Sequence, residues 1–215
     1  IIIVNKPAGQ LSQGAKGFDL DLVSEVMTYN ASQGKPAYAA IINRLDRPVS
    51  GLVLIAKNKS AAAKYSTLMQ KEGGFNKQYE ALICGKLSEL KGTFVDYLKK
   101  DGRTNTSAIV PADSAANDKE AKLSKLEYEV ISYDEVKDIT HVRIHLITGR
   151  HHQIRVQFAS RRHPLVGDYK YATADCGMDN AVKAVALKRN QIALCAVSLT
   201  VDNKTYSVAP EFSIG

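Results

Sequence analysis

Asp46 lies in the stretch NRLDRPVSG, residues 43–51, between two apolar runs. A tight connection between buried strands draws on Gly, Pro, Asn and Asp for backbone reasons, and this one holds all four. It also crowds Arg44, Asp46 and Arg47 into four positions. A carboxylate on a loop between core strands is held rigidly, as a catalytic group must be. The plainer role is a turn cap, in which the side chain accepts a hydrogen bond from its own loop. For a lone Asp in a loop the cap is the better reading, and what raises chemistry beside it is the set of cations that would keep such a carboxylate ionised in a closed pocket. Arg44 and Arg47 are close in sequence, and Arg155 projects from an otherwise inward helical stripe. A buried Arg needs an anion and a buried Asp needs a cation.

His151 and His152 suggest a metal, but neighbours on a helix point about 100° apart and do not converge on one ion. No H-E-x-x-H or other ligand spacing accompanies them. There is no G-x-G-x-x-G, no Walker loop and no G-x-S-x-G elbow, and Ser50 before Gly51 has no evident base partner. Cys84, Cys176 and Cys195 include no C-x-x-C pair and read as reduced thiols. The expectation is no metal and no cofactor.

These groups must be positioned by a chain rich in strands. IIIV reads as a strand ending at the turn NKPAG, and residues 20–29 as a short amphipathic helix. YAAIIN and LVLIA read as buried strands on either side of the Asp46 loop. Asn58 is a plausible N-cap for a helix stopped by Gly73 and Gly74, with Ala61, Tyr65, Leu68 and Met69 on its inward face. KQYEALICGKL and TFVDYL follow as strands, then a polar stretch, residues 99–122, with little core-forming content. In THVRIHLIT, Val142, Ile144 and Leu146 share one face and His141, Arg143 and His145 the other. His151, Ile154, Arg155 and Phe158 fall on one helical stripe. Gly167 and Asp168 mark a turn, and QIALCAVSLTV with KTYSVA closes the chain as a hairpin. Many strands with few helices give an α+β fold, mostly antiparallel.

At 215 residues the chain is long enough to bury a real core. Apolar residues make up 45% and charged residues 24%, ordinary globular composition. No apolar run approaches the roughly 20 residues of a membrane helix, and IIIVNKPAGQ lacks the pattern of a secretion signal. The start lacks an initiator Met, so the chain is expected to be trimmed there. A net charge of +7 favours a polyanionic partner without identifying it.

The ordered set NKPAG, NRLDRPVSGLVLIAKN, KQYEALICG, LITGRHHQIRVQFAS, HPLVGDYKY and IALCAVSL resembles the RluA-type pseudouridine synthases, in that family's order and rough spacing. R-L-D-x-x-x-S-G, T-G-R-x-H-Q-I-R and H-P-x-V-G-D together make a highly specific series. The resemblance implies an α+β fold with a mixed, mostly antiparallel central sheet, split around an active-site cleft and flanked by helices. It implies Asp46 as the catalytic carboxylate, Arg155 as its partner, and Tyr79 as a ring that stacks on uracil and offers its hydroxyl. Arg44 would enter the RNA helix where the target uridine has flipped out, and Ile154 would line the uracil pocket. Arg150, His152 and Gln153 complete the expected substrate-binding set.

The implied reaction isomerises a specific uridine in structured RNA, a stem-loop of large-subunit ribosomal RNA or transfer RNA, with neither metal nor membrane. The chain is expected to be a cytoplasmic monomer and a single catalytic domain, residues 1–215, without the N-terminal RNA-binding domain that many relatives carry. It departs from the family at Asn43 and at Cys195, both usually His, and neither touches a proposed catalytic atom. A non-catalytic RNA-binding module of the same fold predicts loss of Asp46, Tyr79 or Arg155, and all three are present. An unrelated basic hydrolase would need a metal or a second carboxylate, for which Asp168 and Asp113 are the candidates.

Overall fold

The computed structural model describes residues 1–14, 20–71, 74–185 and 187–214. Its strands are β1 (Ile2–Lys6), β2 (Ala40–Ile41), β3 (Ser50–Ala56), β4 (Asn76–Cys84), β5 (Lys91–Asp101), β6 (Thr106–Val110), β7 (Lys122–Asp134), β8 (Ile139–Leu146), β9 (Leu194–Val201) and β10 (Lys204–Ser207). They form one sheet in the order β1-β3-β9-β4-β8-β7-β5-β6, with β2 beside β3 and β10 beside β9. Every pairing is antiparallel except β3 with β9, which run parallel and meet only at Ser50–Cys195 and Gly51–Ala196. That short junction has a steric requirement. Gly51 has φ +115°, and a Cβ there would overlap the backbone of Ala196. Glycine is what lets the two halves of the sheet close.

Helices cover both faces. Leu22 and Val26 of α1 (Leu22–Ser32) and Ile154 and Phe158 of α4 (Gln153–Ala159) pack on one face with Val53, Ile55, Ala81, Ile83 and Leu194. On the other, α2 (Lys59–Gln70) covers Leu52, Leu54 and Leu199, while α5 (Met178–Ala184) covers Leu82, Cys195 and Val197. Alternate residues of β3 thus face opposite cores, and all seven are buried. This is why the strand reads as an unbroken apolar run. Ile139 at the start of β8 packs with α5 on this second face, and further along it Glu80 holds His141 and Arg143 while Glu127 meets His145. Val142, Ile144 and Leu146 point into the core, as alternation predicts.

The N-caps follow from side chains: Asp21 accepts from the Ser24 N–H and Asn58 from the Ala61 N–H. The expected stop at Gly73 lies outside the described residues; α2 ends at Gln70 with Lys71 as its C-cap. Four elements differ from expectation. YAAIIN yields only the two-residue β2, because the Asn43 side chain replaces backbone pairing by binding Leu52 O at 3.1 Å and Leu54 N at 2.6 Å. The polar stretch forms the end of β5, all of β6 and the one-turn α3 (Ala112–Ala115). An edge hairpin buries little apolar surface, so its strands show no alternation. His152 takes a left-handed conformation, φ 53°, so α4 starts at Gln153 and leaves His151 outside it. The two-turn α5 has only Met178 and Ala181 buried, too few to display a period.

Candidate active site

A cleft of about 720 Å³ opens beside the starts of β3 and β9, a volume suited to a nucleotide-sized ligand. Asp46, Arg44 and Tyr79 line it from the sheet side, and Arg150, His152, Gln153, Ile154 and Arg155 from the loop and start of α4. The structure therefore gathers all eight residues singled out from the sequence. Asp113 is exposed on α3 and lies outside the cleft.

Two anchors set the Asp46 loop. Ser12 Oγ donates to Leu45 O at 2.7 Å, and the buried Lys6 ammonium donates to Pro7 O and Gln10 O at 2.9 Å and to Arg47 O at 3.4 Å. Burial pushes Lys6 down to about 8, against the opposing pull of Asp46. Arg47 turns away from Asp46 and donates through Nε to Gly9 O at 2.8 Å. Arg44 is exposed at the mouth with no hydrogen bond or ion pair among the described residues. Neither arginine of the loop is the cation for Asp46.

That cation is Arg155, which is 5% exposed. Its Nη1 donates to Asp46 Oδ2 at 3.0 Å, while Nε and Nη2 donate to the two oxygens of Asp168 at 2.7 and 2.8 Å. Burial would lower the guanidinium, but Asp168 and then Asp46 outweigh it and hold Arg155 above its ordinary range. Asp168 is 2% exposed with both oxygens committed, so it positions Arg155 and cannot supply a hydrolase with its second carboxylate. The side chain of Asp46 is 29% exposed and presents an edge to the cleft.

Behind this pair stands a hydrogen-bond chain that sequence reasoning missed. Tyr171 Oη accepts the Ser107 N–H at 2.9 Å and lies 2.6 Å from His152 Nδ1. Its ring lies 5.1 Å from the Arg155 guanidinium. With the hydroxyl proton donated to Nδ1, His152 carries its own proton on Nε2, 3.4 Å from Asp46 Oδ2. Burial drives His152 down to about 3, with Asp46 opposing and Arg155 assisting, so at neutral pH a neutral ring faces Asp46 and the contact is not an ion pair. His151 stacks on His152 at 3.8 Å and shares its Nδ1 with Ser107 Oγ at 2.9 Å. Among the described residues no cluster of His, Cys, Asp and Glu could hold a metal. The available signal for Tyr171 was its place in HPLVGDYKY, three residues after Asp168.

Tyr79 lies 6% exposed on β4, opposite Ile144 and Ala196, where a bulge shifts the β4–β9 register. Burial first, then Asp46 and Cys195, raise its phenol well above the ordinary range, so its hydroxyl keeps its proton. Ile154 is 5% exposed beside it in the same core. Gln153 has its amide fully engaged. Its oxygen accepts from Thr148 Oγ1 at 2.8 Å and Arg150 N at 3.0 Å, and its nitrogen donates to Lys125 O and Gln157 Oε1. Its contribution is to hold the loop that carries Arg150. Of the two departures, Asn43 is the bridge to β3 described above, and Cys195 is buried against Ser50 at the sheet junction.

One cleft thus holds a carboxylate edge, a protonated phenol and apolar side chains, and residues 1–160 match the family model for RNA pseudouridylate synthase. The chain belongs to that family. It is 33% identical over 173 residues to ribosomal large subunit pseudouridine synthase D of Buchnera aphidicola, covering 80% of this chain and 52% of that protein. To ribosomal large subunit pseudouridine synthase C of Rickettsia bellii it is 33% identical over 171 residues, 80% of this chain and 54% of the other. The chain thus spans about half the length of these curated relatives. The fold matches the solved structure of human RNA pseudouridylate synthase domain containing 1 with a TM-score of 0.71 and 23% identity, over 97% of this chain and 79% of that one.

Proposed function

We propose that the protein is an RNA pseudouridine synthase that isomerises a flipped-out uridine in a structured RNA, ribosomal or transfer RNA, with Asp46 as its single catalytic carboxylate. The observation that carries this reading is the Asp46–Arg155–Asp168 array at the floor of a cleft that also holds Tyr79. A stacked uridine cannot reach such a floor, so the base must leave the helix, and Arg44, exposed and lining the cleft, would fill the gap. Nothing is hydrolysed, so one carboxylate in a site that excludes water suffices.

The Asp46 carboxylate has two routes open to it. It attacks the anomeric carbon and expels uracil with the N-glycosidic electron pair, or it removes the 2′ proton and forms a glycal. In the first route the turned uracil bonds through its ring carbon to the anomeric carbon and expels the Asp46 carboxylate from it; in the second that bond forms as Asp46 returns the proton to C2′. The ring carbon then sheds its own proton while the former glycosidic nitrogen gains one. Tyr79 stacks on the uracil, and its hydroxyl serves that proton transfer. Ile154 packs on the base, Arg150 faces the RNA, and His152, held through Tyr171, orients Asp46. The surplus of Lys and Arg meets the phosphates. The test is to map pseudouridines in ribosomal and transfer RNA from cells with and without the gene, then incubate purified protein with a transcript of the site lost. Loss of one pseudouridine and its restoration in vitro is expected; an unchanged map together with inert protein would overturn the proposal.

A further inference from the structure

Two ammonium groups are buried near the cleft, and their surroundings differ. Lys6 has three backbone carbonyls. Lys77, second residue of β4 and 8% exposed, has among the described residues only the thioether of Met69, 3.7 Å away, as its hydrogen-bond acceptor. A thioether is a weak acceptor, and a desolvated ammonium without an anion is costly. Lys77 lines the cleft together with Arg150, and among the described residues the Arg150 side chain makes one hydrogen bond, from Nε to Leu123 O at 2.9 Å, which leaves its terminal nitrogens uncommitted there. Between them runs Gly149, where an added Cβ would stand 3.6 Å from the Lys77 ammonium. The missing side chain leaves that approach clear. Burial, and secondarily Arg150, lower Lys77 from its ordinary range, as expected of a cation waiting for an anion.

We propose that Lys77 and Arg150 together seat one backbone phosphate of the RNA beside the flipped nucleotide. The proposal rests on the synthase reading above and adds to it a fixed anchor for the sugar–phosphate chain. Two cations of different shape suit a phosphodiester, the terminal nitrogens of Arg150 gripping its two non-bridging oxygens and Lys77 sharing one of them. Such an anchor would register the strand so that one nucleotide alone falls over Asp46.

The test uses a ribosomal or transfer RNA stem-loop that the wild-type protein converts, with binding measured across a series of KCl concentrations. Lys77→Met should weaken binding about tenfold at low salt and reduce the slope of log affinity against log salt by about one. Lys77→Arg should restore most of both. Neutral methylphosphonates, placed one at a time within three nucleotides of the target, should include one that weakens wild type but adds nothing in Lys77→Met. In the wild-type protein, lysine-selective NMR should show the Lys77 ammonium titrating higher with RNA bound than free, a readout independent of how the variants fold. An unchanged salt slope in Lys77→Met, or no upward movement on binding RNA, would overturn the assignment while conversion by wild type left the synthase reading standing. Absence of conversion by wild type on every transcript would overturn both.

Discussion

Replacing Arg155 with Met tests how the site is held together. Met fills much of the same space without charge, so the change removes three charge-assisted hydrogen bonds, two to Asp168 and one to Asp46. Each such bond contributes about 1.5–3 kcal/mol, but the larger effect is the carboxylate left behind. Asp168 is 2% exposed, and breaking a buried pair by removing one partner costs about 3–5 kcal/mol. Set against the 5–15 kcal/mol that typically stabilises a domain, that is a large fraction, about 6–20 °C in melting temperature for a chain of this size. Urea unfolding and single-turnover conversion report separately on the two jobs of Arg155. In Arg155→Met/Asp168→Asn the buried charge leaves with its partner, so stability should recover by more than half while conversion stays lost, because Asp46 still lacks its cation. A single variant with the wild-type urea midpoint, or a double variant no more stable than the single, would refute this reasoning.

Three further outcomes follow from the same geometry. Tyr79→Phe keeps the ring, whose stacking is worth about 1–3 kcal/mol, and deletes the proton-carrying hydroxyl; RNA affinity should hold while single-turnover conversion falls at least about a hundredfold, and equal activity would leave Tyr79 a packing residue. His152 is protonated only below about 3 when folded but near 6.5 when unfolded. The unfolded chain therefore takes up the extra proton first, and stability should fall as pH drops below the unfolded value. An imidazole resonance of His152 that titrates near 6.5 in the folded protein would contradict this. Gly51→Ala should cost about 1–3 kcal/mol for the backbone conformation alone, with the overlap on Ala196 added, and show as lost soluble yield or a lowered melting temperature.

The site was more legible in the sequence than the elements that carry it. Asp46, Tyr79 and Arg155 stand in motifs of the family resemblance, so it brought them together although Asp46 and Arg155 lie 109 residues apart. The physical reading of Arg155, a charged residue on an inward stripe, also demanded an anion. It did not reveal that Asp168 takes two of the three bonds, because a glycine–aspartate pair reads as a turn whatever its side chain grips. Tyr171 was hidden for a related reason: its role depends on Ser107 of an edge hairpin, and that hairpin has no apolar alternation to announce it. The left-handed His152 breaks the stripe before α4, which no periodicity could foretell. Where apolar patterning was strong, as in β3 and β8, the strands came out as read; where a side chain stood in for backbone, as Asn43 does beside β2, the strand ended early.

The central claim is that one carboxylate performs the isomerisation, and Asp46→Asn tests it most directly. The amide keeps the size of the side chain and its turn chemistry and removes only the charge that Arg155 and the reaction require. Enzyme in excess over a converted stem-loop, with pseudouridine counted after a single turnover, separates chemistry from binding. Conversion should be abolished while affinity for the RNA stays within a few-fold of wild type. Residual turnover within tenfold of wild type would contradict the account.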